Sequence, residues 1–431
     1  MTAPGVHQGG TVTSGGGQRT DDGVVAHGRS DGARVVRLLA AALVFGLVMV
    51  GATLPTALYG RYQEQLGFGP LVQTTLFASY AVGVLAALVV LGELSDRVGR
   101  RPLLLLGLAA AALSALCFLL ADGLPLLFAG RLLSGVSAGV FTGTATTAVV
   151  ELAPPRWSRA ATSLATAVNV LGLGAGPVLS ALVAEASLAP LRAPYLVHLL
   201  LLVPAALVTW WQPETAGSQR RDGGGRPAPA SAWRPHLLRP TVPAEVRRAF
   251  VPAATAGFAG FAVFGLFTAV APQLLVEQLG VDDRVVADAL VGLPFLASAV
   301  AQVATGGLAA PRALVAGCAG LAAGAALLVA GLAAQALLLV VVAAALLGLG
   351  HGTAFRAGVA SVRTASPEGR TGEVVSTLFV VLYVAISLPV VAVGALAVVT
   401  DLPTAAEVLG VVVGLLALAA LAVLRRRPLE G

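Results

Sequence analysis

The side chains able to do chemistry in this 431-residue chain are few, and several sit within or beside long apolar runs. His351 is the one titratable group near the centre of such a run. Phe355 follows it by one helical turn and shares its face. Arg356 is five positions on, about 140° round a helix, and need not face the same way. An imidazole titrates near 6.5 when unperturbed, which suits it to carry protons; packed between Gly350 and Gly352, it could equally stay neutral. Arg131 lies about 9 Å along a helix from the end of its own run, at ~1.5 Å per residue. An arginine so placed either serves function or snorkels to the nearer interface. Phe258, Phe261, Phe264 and Phe267 recur every three residues, and Phe141 follows Arg131 in its run. These rings either line an apolar cavity or face lipid or pack a core.

Other chemistries are excluded. All 27 basic Lys+Arg positions are arginine. No lysine exists to form a Schiff base, and no GxxxxGK[ST] loop exists to cradle nucleotide phosphates. Cys117 and Cys318 lie singly in apolar runs and read as packing residues. No metal-ligand spacing, paired carboxylates, His/Cys/Asp cluster or GxSxG elbow is present. The chain is therefore expected not to be an enzyme, and to need no catalytic residue, metal or cofactor. The net charge of +6 does not argue for nucleic-acid binding, because the arginines occupy short breaks between apolar runs rather than a soluble patch.

The elements that must position these residues are membrane helices. The chain is 57% hydrophobic and 11% charged, against about 25% charged in soluble domains. Apolar runs of helical length read as twelve spans, near 38–58, 73–92, 102–121, 125–149, 160–184, 194–211, 249–272, 286–306, 312–332, 336–361, 372–396 and 404–424. With both termini cytoplasmic, twenty-two arginines fall on the cytoplasmic side and three on the other, as the positive-inside rule requires. His198, near the outer end of the sixth span, reads as interfacial. Residues 1–35 form a Gly/Ser/Thr-rich tail expected to be disordered. Residues 36–212 form one six-helix bundle and 213–247 a Pro/Gly/Arg-rich cytoplasmic linker. Residues 248–425 form a second bundle and 426–431 a short tail. A shift of 213 residues lays Gly135 on Gly348, Gly139 on Gly352, Pro154 on Pro367 and Ser163 on Ser376, so the halves read as a repeat.

Three motifs carry a resemblance. Between the second and third spans stands Gly92-Glu-Leu-Ser-Asp96-Arg97-Val-Gly99-Arg100-Arg101. The glycines allow a tight turn, Asp96 can accept from N–H groups at a helix start, and the arginines can pair across the seam or hold the anionic lipid surface. In the fourth span, Arg131 is followed by Gly135, Gly139 and Gly143 at four-residue spacing, a smooth face for close helix packing. In the fifth, Gly172, Gly176 and Pro177 form a Gly-Pro kink. The first two resemble signatures of the major facilitator superfamily. The third resembles the motif of its drug:proton antiporters, with Ser180 and Ala181 replacing the terminal glycine pair. In the second half, the segment Gly306-Gly307-Leu308-Ala309-Ala310-Pro311-Arg312 stands where a copy of the first motif would fall and lacks its Asp-Arg core. Glu373 either pairs with Arg97 or Arg101 across the halves or complements its own helix. Gln212-Pro213-Glu214-Thr215 resembles the ending of the sixth helix in many members.

The resemblance implies an all-α integral membrane fold with twelve transmembrane helices in two pseudo-symmetric bundles. It also implies a substrate site between them, lined by the fourth and tenth helices, which favours a cavity role for Arg131 and His351. The expected function is secondary transport by alternating access, as proton-coupled efflux of a small organic compound. The alternatives are an importer of a sugar or organic acid and a transport-inactive scaffold or sensor. Expected partners are the small-molecule substrate, protons and the lipid bilayer of the plasma (inner) membrane, with a single chain as the working unit.

Overall fold

The computed structural model describes residues 21–91, 98–215, 242–367 and 370–426, with side chains from residue 32 on except those of residues 91, 155, 159 and 284. Twelve described helices are long and apolar enough to cross a membrane. They are α1 (Asp21–Thr53), α2 (Pro70–Leu91), α3 (Arg100–Leu119), α4 (Leu124–Leu152), α5 (Ser158–Glu185), α6 (Ala193–Trp211), α7 (Arg247–Ala269), α8 (Arg284–Ala304), α9 (Ala310–Ala333), α10 (Leu337–Ala365), α11 (Thr371–Val399) and α12 (Leu402–Arg426). Helices prevail because each backbone polar group is satisfied within its own segment, as a hydrocarbon environment demands. Large apolar side chains such as Leu43, Leu200, Trp211, Leu338 and Leu415 remain exposed. In a membrane these face lipid.

The described part of α1 begins at Asp21, inside the stretch expected to lack structure. The Gly/Ser-rich composition ends near that point, and a helix propagates readily from an apolar span into flanking residues. Residues 1–20 and most of the expected linker, 216–241, lie outside the described residues, as do Gly92, Asp96 and Arg97.

The first six helices pack among themselves, as do the last six, and the halves are bridged mainly by α2 with α11 and α5 with α8, with a lighter contact of α2 with α7. Glycines set the closest approaches. A Cβ on Gly135 would lie 2.0 Å from the Tyr80 carbonyl oxygen, and one on Gly139 2.8 Å from Ala87 Cβ, so α4 lies directly on α2. The repeat-related glycines do the same in the second half. A Cβ on Gly348 or Gly352 would strike the Pro294 or Ser298 carbonyl of α8, at 2.3 and 2.2 Å. Gly143 departs from the expected face, since a Cβ there would meet nothing within 4 Å. The reason is local: α4 switches to a π-helical turn over Phe141–Ala145. The wider turn breaks the four-residue register.

The fifth-span motif works on two faces of α5. Cβ atoms on Gly172 and Gly176 would collide with α1, at Met49 Cβ (2.6 Å) and Thr53 Oγ1 (2.0 Å). Pro177 deprives the Leu173 carbonyl of its intrahelical N–H partner. The Thr53 hydroxyl of α1 donates to that carbonyl instead, at 2.8 Å. Gly174 faces the other way, where a Cβ would lie 2.6 Å from Phe295 Cβ of α8. His198 is buried, not interfacial. It fills the space left by Gly51 of α1, where a Cβ would fall 2.1 Å from its Nε2.

Candidate functional site

A cavity of about 1460 Å³ lies between the two halves. It reaches Arg100, Arg363 and Glu373, at the end of the helices that carries both described chain termini. At the opposite end the halves meet. Gln73 of α2 donates to the Ala269 carbonyl of α7, and Thr74 fills the notch of Gly394 on α11. Arg61 pairs with Glu185 within the first half at the same end.

The two walls differ. The first half presents hydroxyls: Thr142, Thr144, Thr146 and Thr147 on α4, and Thr162, Ser163 and Thr166 on α5. Thr146, Thr147, Thr162 and Thr166 donate to carbonyls one turn back in their own helices, at 2.8–3.1 Å. Their oxygens keep lone pairs free to accept. The second half presents rings: Phe261, Phe264, Phe295, His351, Phe355, Phe379 and Tyr383. His351 sits 4.0 Å from Phe264, 5.0 Å from Phe261 and 5.7 Å from Phe355 between centroids, the last stacked. Its Nδ1 shares a hydrogen bond with Ser298 at 2.9 Å, Gln302 donates to the same hydroxyl at 3.2 Å, and Nε2 has no partner among the described residues. Tyr383 reaches across the cavity to Thr142 in the π-helical turn.

Arg131 lies deep in the wall of the first half and is 1% exposed. It does not snorkel. Its Nη1 donates to the Ala52 carbonyl at 2.8 Å and its Nη2 to the Phe77 carbonyl at 3.4 Å. The rings of Tyr80 and Phe77 flank the guanidinium at 4.9 and 5.4 Å. Ala52 is available because α1 ends at Thr53 and a 3₁₀ turn containing Pro55 takes over, which leaves terminal carbonyls without helical partners. No carboxylate pairs with Arg131 among the described residues.

The model of the Major Facilitator Superfamily matches residues 38–312, more than half of the chain. The chain belongs to that superfamily. It is 34% identical over 145 residues to the tetracycline resistance protein, class B, of Escherichia coli, covering 33% of this chain and 35% of that protein. It is 27% identical over 116 residues to the arabinose-proton symporter of Bacillus subtilis, covering 27% and 25%. It is 32% identical over 131 residues to the proline/betaine transporter of Escherichia coli K12, covering 30% and 26%. The matched stretches thus span about a third or less of each relative.

The structure brings Arg131, Phe261, His351, Phe355 and Arg356 to one superfamily cavity. Phe258 and Phe141 are not on its wall. A three-residue step turns a helix back by about 60° each time, so Phe258 and Phe267 end on opposite sides of α7 and only Phe261 and Phe264 face inward. Phe141 packs inside the first half, where a Cβ on Gly107 would lie 2.8 Å from its ring, with Phe45 at 6.2 Å. Arg356 reaches the cavity while its guanidinium caps the end of α8, donating to the Thr305 carbonyl and to that of Leu308 at 3.3 Å. It thereby holds the second-half segment that lacks the Asp-Arg core.

At the cavity mouth, Glu373 pairs with Arg370 one turn away, at 3.1 Å, which holds the Arg370 guanidinium protonated. Arg101 lies over the Trp210 ring at 4.8 Å. Gly99 adopts φ +111°, and the Glu214 carboxylate accepts from the Arg100 and Arg101 N–H groups at 2.8 and 3.2 Å. Arg100 also reaches Glu151 at 3.3 Å, and Thr215 donates to the same carboxylate. This clasp ties the start of α3 to the ends of α4 and α6. Sequence reasoning passed over Glu151 and Thr53, and met Glu214 only within the Gln-Pro-Glu-Thr ending, with no role given to it. The signal for Glu214 was an acid just after a span that ends on the side where α3 begins; Thr53 carried no signal, because only the helix crossing aims it at Leu173.

Proposed function

We propose that the chain is a secondary active transporter working by alternating access, captured with its site open to the cytoplasm. The observation that carries this reading is the cavity between the halves, open at one end and sealed at the other by α2 against α11 and α5 against α8. The open end is the arginine-rich one, and under the positive-inside rule it faces the cytoplasm of a plasma membrane, with both termini inside. Rocking the halves would part the sealed pairs and close the mouth. Arg100 and Arg101, with Gly99, then bias the two states from the mouth, and the remaining motif residues Gly92, Asp96 and Arg97 are assigned the same gating role. On the second half, Glu373 and Arg370 form an ion pair at the mouth.

We read the transport as proton-coupled efflux of a small organic compound by a single chain. The Gly-Pro segment of α5 and the likeness to the tetracycline resistance protein support this. His351, hydrogen-bonded through Ser298 to Gln302 on the wall, is the candidate proton carrier. The test uses purified protein in proteoliposomes loaded with a pH-sensitive dye. Compound accumulation driven by an imposed pH gradient, lost when an ionophore collapses it, is the expected result. Accumulation indifferent to the gradient would remove the coupling, and no transport in either direction would remove the function.

A further inference from the structure

The charges on the cavity wall point to a narrower cargo class, resting on the reading of this cavity as the cargo site. Four described wall residues are arginines, namely Arg100, Arg131, Arg356 and Arg363, and one is a carboxylate, Glu373. Arg100 is bonded to Glu151 and Glu373 to Arg370. The other three arginines have no carboxylate partner among the described residues. They stand at successive depths: Arg363 near the mouth, Arg356 about 10 Å further along α10 at ~1.5 Å per residue, and Arg131 on the opposite half.

Arg131 decides the matter. It is enclosed, propped by two carbonyls and two aromatic rings, and its Nε has no acceptor among the described residues. A buried cation without a counter-charge is costly. A carboxylate arriving there supplies that charge, in the planar geometry a guanidinium matches best. An organic cation meets three like charges without a carboxylate partner among the described residues along the same path, at Arg363, Arg356 and Arg131. The facing wall of Phe261, Phe264, His351 and Phe355 offers apolar surface to a flat body.

We propose that the cargo is an organic acid anion: a carboxylate held at Arg131 and an apolar, ring-sized body against the phenylalanines of α7 and α10.

The test uses the full chain and three probes sharing one ring system: 2-naphthoate, the neutral 2-naphthamide and the cationic 2-naphthylmethylammonium. Binding is measured by equilibrium dialysis near neutral pH. Naphthoate is expected to bind about tenfold or more tighter than the amide, the order a charge-assisted hydrogen bond contributes, with the ammonium weakest. Arg131→Gln should bring naphthoate down to the amide and leave the amide unchanged, which separates lost charge from lost fold; Arg131→Lys should restore part. Should Arg131→Gln fail to fold, Arg356→Gln provides the second reading, with a reduced anion preference expected.

Amide or ammonium binding as tight as naphthoate overturns the proposal. So does an unaltered preference in both glutamine variants, and so does failure of all three probes to bind at millimolar concentration. Gly143→Trp separates this proposal from the reading beneath it. Gly143 lines the cavity and its Cβ direction is open, so the indole takes up part of the cavity. Naphthoate affinity that the indole leaves unchanged places the site elsewhere and overturns both readings. A cation preference that the indole weakens overturns the anion alone.

Discussion

At the scale of single residues, the same residue type does opposite work according to what its missing Cβ would meet. On Gly135 and Gly176 it would meet a backbone carbonyl at 2.0 Å and the Thr53 hydroxyl at 2.0 Å, with the Val50 carbonyl at 2.6 Å behind the latter. Neither carbonyl can swing aside. Gly135→Ala and Gly176→Ala are therefore expected to lower the melting temperature in detergent, by the ~1–3 kcal/mol typical of overpacking. Gly143→Ala should leave it unchanged or raise it, since an alanine gains about 0.5–1 kcal/mol over glycine in a helix. Equal losses at all three positions would contradict this. Thr53→Val keeps the shape and removes the donor to Leu173. It should cost about 1 kcal/mol, the upper part of what single hydrogen bonds contribute in membranes.

Among the elements, the clasp at the start of α3 shows how a helix end is held at the cavity mouth. The Glu214 carboxylate meets the N-terminal N–H groups where the helix dipole favours an anion. Glu214→Gln should cost about 1 kcal/mol, the usual value of a cap, and the loss should shrink as salt is added. A loss independent of salt would point to packing instead. Gly99→Ala should be worse, because φ +111° is strained for a side chain and the new Cβ would lie 2.5 Å from Glu214 Oε2. Gly292 of α8 makes the corresponding close approach on the seam, where a Cβ would fall 2.9 Å from the Gly174 carbonyl. Gly292→Leu is expected to pry α5 from α8 and shift the population away from the described state. A cysteine at Thr147 on the cavity wall should then react more slowly with an impermeant maleimide added from the arginine-rich side.

At the scale of the whole molecule, the proposed transport rests on movement between the halves. Thr74 and Gly394 touch across the sealed end, where a Cβ on Gly394 would lie 2.9 Å from Thr74 Cβ. Disulfides need about 3.5–4.5 Å between Cβ atoms, so a small parting of α2 from α11 lets Thr74→Cys and Gly394→Cys join. Oxidised, this pair should stop transport while leaving probe binding from the open side, and a reductant should restore transport. Transport that continues through the cross-link would rule out rocking about the cavity. A cargo moves such an equilibrium only by binding one state better than the other, which is why probe binding and transport must be measured separately.

Composition and run length alone determined a twelve-helix membrane chain, because a span of hydrocarbon admits few other solutions. The glycine pairs at Gly135/Gly139 and Gly348/Gly352 were visible by repeat and spacing, since close packing needs small residues at helical period. The tertiary structure decided the rest. It chose Phe261 over Phe258, as helix rotation and not ring chemistry selects what faces inward. It turned Gly143 toward the cavity, where a π-turn altered the register, and buried His198 against Gly51. It also left Arg131 without a counter-ion among the described residues, because pairing depends on which distant helices meet, and spacing along one chain does not encode that.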